Sequence, residues 1–123
     1  MIDPGIDLEY WRGELARRSR VQVPGWLAPE AAEAAHACLA HEVRWNLAHR
    51  TADGPQTVPH AALAALDEAG RGALLADAQA LARHEYAFAY DCWHMVSAYK
   101  EGREPGLLLH RVLEVMNSPD YLG

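Results

Sequence analysis

An α+β fold is what this sequence predicts, with amphipathic helices packed on a small, mainly antiparallel sheet. Three observations carry that expectation. Apolar residues recur at helical spacing, as in Leu8, Trp11 and Leu15 and again in Leu108, Val112 and Val115. Short alternating segments stand between the helical ones, the most β-like being Glu85-Tyr86-Ala87-Phe88-Ala89-Tyr90-Asp91. Turn residues, Pro24-Gly25 and Asp53-Gly54-Pro55, punctuate the alternating segments. A length of 123 residues predicts a single domain over 1–123 with one core.

Taken in order, the first helix is expected over about 6–18. The cluster Arg17-Arg18-Ser19-Arg20 falls at its solvated last turn, where cations suit the helix dipole. Residues 20–23 alternate, with valines at 21 and 23, and predict a short strand that stops at Pro24-Gly25. A helix over 29–43 follows: Pro29 suits the first helical position, and Glu30 and Glu33 favour the positive end of the dipole. Two strands are expected within about 44–58, because Trp45 to His49 alternates, a turn follows, and Gln56-Thr57-Val58 returns. Alanine- and leucine-rich segments over 60–84 predict a helical hairpin, with Gly70-Arg71-Gly72 as its break.

The strand over 85–91 places Tyr86, Phe88 and Tyr90 on one face. Trp93 to Tyr99 has weaker strand character, Lys100 to Gly106 is a polar loop, and a helix spans 107–116. Ser118-Pro119-Asp120 then has the signature of a new helix start, a capping residue followed by proline and an acid. A capped start with only Tyr121-Leu122-Gly123 after it gains little packing, so the domain is expected to be incomplete as it stands.

Charge excludes several function classes. A net charge of -6 disfavours non-specific binding to nucleic acid or to anionic membrane, both of which need basic surface. No apolar run is long enough to span a bilayer. Cys38 and Cys92 lie far apart and form no CxxC pair; without an export signal they read as reduced thiols in a cytoplasmic protein.

Seven histidines invite a metal hypothesis, and spacing tests it. His41-Glu42 and His84-Glu85 both begin like HExxH, but Trp45 and Phe88 stand where the second histidine belongs. A facial iron triad needs His-x-Asp or His-x-Glu with a distant histidine, so that three ligands occupy one face of the metal. Two residues after the histidines stand Cys38, Val43, Thr51, Ala62, Tyr86, Val96 and Val112, none a carboxylate. His36, His41 and His60 read as residues of helix faces. His84 and His94 flank the aromatic strand and could share a pocket, while His49 and His110 carry no motif. Asp67-Glu68 and Glu101 with Glu104 read as solvated surface, and no phosphate loop or nucleophile elbow is present. Catalytic, cofactor and metal residues are therefore all expected to be absent from this chain. Tyr86, Phe88 and Tyr90 remain as a stripe read chiefly as one buried sheet face, with substrate facing as the alternative role.

The order of segments resembles a known family. Residues 20–30, Arg-Val-Gln-Val-Pro-Gly-Trp-Leu-Ala-Pro-Glu, resemble the opening of prolyl-4-hydroxylase-like 2-oxoglutarate/Fe(II) dioxygenases, where a short strand enters an apolar pattern ending in Leu-x-x-Glu. The tryptophan-bearing segment Arg44 to Ala48, the aromatic segment Tyr86 to Asp91, and Leu107 to Leu122 with its Asn117-Ser118-Pro119-Asp120-Tyr121-Leu122 end look like later parts of the same pattern. The similarity runs over about residues 10–122. It implies that this chain is the N-terminal support region of a double-stranded β-helix enzyme, with iron ligands and the 2-oxoglutarate-gripping residue on a missing C-terminal catalytic portion. Fe(II) and 2-oxoglutarate would then be cofactors of the full-length hydroxylase and not of this chain alone, which is expected to be inactive.

A competing reading makes the chain a stand-alone, non-enzymatic helical binding or dimerisation domain, a homodimer included, because open sheet edges invite partner strands. A third makes it a small histidine-based metal protein.

Overall fold

A computed structural model describes residues 1–122, the side chains of Asp120 and Leu122 excepted. The fold is mixed helix and strand, with one antiparallel sheet of three strands in the order β2-β1-β3. Contacts gather into two compact units, Met1–Glu42 with Ala98–Gly123, and Val43–Ser97. Among the described residues no helix is long and apolar enough to cross a membrane.

The first unit begins with helix α1 (Leu8–Arg18). The Asp7 side chain caps it by accepting the Tyr10 N–H. Its last turn holds Arg17 and Arg18, both paired with Glu14. Ser19 closes it in the left-handed conformation at φ 59°, donating its N–H to Leu15 O at 2.8 Å. The strand expected at 20–23 does not form. Val21 and Val23 instead line an apolar cleft with Trp11 and Leu15 of α1 and with Val112 and Val115 further on. β-branched alternation records that side chains have something apolar to cover; it does not record whether that partner is a strand or a helix. The backbone pairing nearby involves Leu27, which bridges Ile2.

Helix α2 (Pro29–Ala37) has its proline in the first turn and runs on into a π-helical turn, Cys38–Glu42. Cys38 there is almost wholly buried, at 1% exposure. Helix α6 (Leu108–Met116) packs on α2 and buries Leu109 and His110. His110 Nε2 lies 3.0 Å from Arg103 O, and since a carbonyl can only accept, that nitrogen carries the proton. Helix α7 (Pro119–Leu122) follows, and the Tyr121 ring meets Trp26 edge-on at 5.9 Å. The Ser118 hydroxyl bonds back to Val115 O at 2.7 Å, toward the preceding helix.

The second unit is the sheet and its helical hairpin. Strand β1 (Asn46–Thr51) is central, and β2 (Gly54–Val58) returns beside it through the turn at Ala52-Asp53. Gly54 takes a φ of 115°, which only glycine adopts freely. Helix α3 (His60–Ala64) and helix α4 (Glu68–Leu81) both pack against β1. The break between them falls at 65–67 and not at Gly70-Arg71-Gly72, which lies inside α4. Asp67 decides this: its side chain accepts the Gly70 N–H at 2.8 Å and so caps α4. A cap contributes about 1 kcal/mol, and it starts the helix ahead of its glycines. Gly70 also gives Leu66 room, since a Cβ there would stand 3.2 Å from the Leu66 side chain.

Strand β3 (Ala89–Cys92) begins later than the sequence predicts and pairs antiparallel with β1. Trp93 to Tyr99, read from the sequence as weak strand, becomes helix α5 (Met95–Lys100), within which the boundary between the two units falls. Ala98 in this helix is completely buried, a position where alanine's high helix propensity and small volume agree.

Candidate functional site

Side-chain parity in β1 divides the sheet into two faces. Leu47 stands beside Val58 and Asp91, and His49 beside Gln56 and Ala89, on the face that also carries Trp45. Ala48 stands between Thr57 and Tyr90 on the opposite face. Phe88 precedes β3, and its carbonyl accepts the Arg50 N–H at 3.0 Å, which carries the ladder one residue further. Tyr86, Phe88 and Tyr90 therefore follow one another along the Ala48 side, with ring centres 6.0 Å and 5.3 Å apart.

The sequence brings these three rings together, but reads them chiefly as a buried face. They form a solvent-facing ladder: Tyr86 is 77% exposed and Tyr90 56%, with Phe88 half-buried. Arg50 fixes its start, because its guanidinium pairs with Glu85 at 3.0 Å just before Tyr86. Arg50 Nε is buried and has no hydrogen-bond partner among the described residues. Tyrosine rings joined in this way present flat apolar area with a polar rim, the surface chemistry enriched at macromolecular interfaces.

The histidines are dispersed. His36, His41, His84 and His94 are exposed. His94 Nε2 stands 4.0 Å from Cys92 Sγ. The two buried ones are His49 and His110, neither of which any motif marks. His49 is 5% exposed, and its Nδ1 has no hydrogen-bond partner among the described residues. Among the described residues no group of three or more His, Cys, Asp or Glu side chains is placed to hold a metal ion.

Sequence reasoning missed a second feature, a cleft of about 420 Å³ on the Leu47 face, beneath α3 and α4. Leu47, Leu63 and Leu74 wall it, and His60, Arg71 and Asp91 reach it from three different elements. Arg71 reads in the sequence only as part of a glycine-flanked break. Nothing in the spacing of residues 60, 71 and 91 marks them as neighbours.

No protein-family model, curated protein or solved structure matches this chain.

Proposed function

We propose that this chain is the N-terminal scaffold segment of a 2-oxoglutarate/Fe(II) dioxygenase, a hydroxylase whose iron ligands and 2-oxoglutarate-binding residue lie on a separate catalytic portion. The observation that carries this reading is the two-faced sheet. One face of β1 is covered by α3 and α4, while the other presents the Tyr86, Phe88 and Tyr90 ladder to solvent. A contiguous apolar surface of that kind is costly to leave exposed and marks a place where another layer docks. The segment order that resembles the dioxygenases, over about residues 10–122, suggests the identity of that layer. On this reading the aromatic ladder packs against the catalytic barrel, and the helices serve as its outer support.

The same ladder and the edge position of β3 favour one other occupant, a second copy of the chain in a non-enzymatic dimer. Enzyme assay separates support from catalysis. Supplied with Fe(II), a reductant and 2-oxoglutarate, the isolated chain is expected to release succinate at the rate of the protein-free control. Turnover well above that control would overturn the assignment of this chain as non-catalytic support.

A further inference from the structure

We infer that the cleft beneath α3 and α4 is a binding site for a small apolar amino acid, a molecule with one carboxylate, one ammonium and an apolar side chain. The inference does not depend on the dioxygenase reading. A volume of about 420 Å³ lies in the range of small-molecule sites, which combine apolar walls with a few convergent polar groups. Trp45, Leu47, Leu63 and Leu74 supply the walls.

The polar groups are arranged by the fold. Arg71 donates through Nε to Leu63 O at 3.2 Å. That bond anchors the guanidinium plane at the cleft and leaves both terminal amino groups as a fork for a carboxylate. His60 is fixed twice. Its backbone N–H donates to Asn46 Oδ1 at 2.9 Å, and its Nδ1 lies 3.2 Å from Trp45 O. Because a carbonyl oxygen only accepts, Nδ1 carries hydrogen, and in the neutral ring Nε2 is left as an acceptor. Asp91 reaches the same cleft from β3, beside Leu47.

Arg71 and Asp91 therefore line one cleft with opposite charges, yet no ion pair joins them among the described residues. A cation and an anion held apart over apolar walls complement a zwitterion. The ligand carboxylate goes to the Arg71 fork, its ammonium to Asp91 with His60 Nε2 as a further acceptor, and its side chain to the leucines.

The test is a titration of the whole chain with leucine, followed by backbone amide NMR shifts. Saturable shifts confined to residues 45–47, 60–75 and 89–91 are expected, with a dissociation constant below about 10 mM. Isocaproate, which lacks the amine, and isoamylamine, which lacks the carboxylate, should each bind at least about tenfold more weakly, since each forfeits a charge-assisted contact. Arg71→Gln and Asp91→Asn should each weaken leucine binding by about tenfold or more, with amide spectra unchanged away from the cleft. Asp91→Asn serves as the second variant because, unlike Arg71, Asp91 makes no side-chain bond to another element among the described residues. Absence of saturable shifts, shifts centred elsewhere, equal binding of isocaproate, or undiminished binding by both variants would each overturn the assignment.

Discussion

Leu47→Ala is expected to destabilise the Val43–Ser97 unit by about 2–5 kcal/mol, the range for truncating a buried leucine. Leu47 is 9% exposed on the central strand, flanked by Val58 and Asp91 and facing the helices that cover the sheet. Its removal deletes transfer energy and widens the cleft that it walls with Leu63 and Leu74. The cleft already borders the side chain, so neighbouring leucines can partly collapse into the space, and the cost should fall in the lower half of the range. Leu75 lines the same cleft but is 46% exposed, and Leu75→Ala should cost less than about 1 kcal/mol. Urea unfolding of the two variants measures the contrast. Equal midpoints would mean that Leu47 does not anchor the packing of helices on sheet.

Gly54→Ala is expected to cost about 1–3 kcal/mol through the backbone alone. A Cβ at position 54 would meet nothing within 4 Å, so no clash contributes. The cost arises because φ of 115° lies well outside the wells open to alanine. This conformation turns the chain from β1 into β2, and Thr51 Oγ1 braces the turn by donating to Gly54 O and accepting the Asp53 N–H, both at 3.2 Å. Relaxing the turn shifts the β1–β2 register that pairs Thr51 with Gly54, so amide exchange across β2 should accelerate along with the loss of stability. A variant as stable as the parent would show that the turn tolerates another conformation.

Particular residues show how far the sequence carries this fold. The hairpin is legible because Asp53-Gly54 combines a turn signal with alternation on both sides, and α1 because Leu8, Trp11 and Leu15 keep helical spacing. Val21 and Val23 mislead, since the valines cover helices across a cleft and no strand pairs with them. Gly70 and Gly72 mislead in the opposite sense: glycine lowers helix propensity, but a capping aspartate three residues before Gly70 outweighs it. Met95 to Lys100 is too short for periodicity to separate helix from strand, and burial of Ala98 decides it.

The site divides in the same way. Parity alone places Tyr86, Phe88 and Tyr90 in one stripe, because alternation is a local property. Exposure is not local, and an aromatic stripe reads identically whether it faces a core or a partner. The cleft was illegible because His60, Arg71 and Asp91 meet only through the register of β3 on β1 and the packing of two helices.

Sequencing the natural transcript through the codons after Gly123, in all reading frames, tests the scaffold assignment most directly. The expected result is a continuation, in frame or displaced by a frameshift, that encodes His-x-Asp or His-x-Glu followed by a distal histidine. A stop codon with no such coding remnant downstream would contradict the assignment and leave the aromatic ladder to a second copy of the chain.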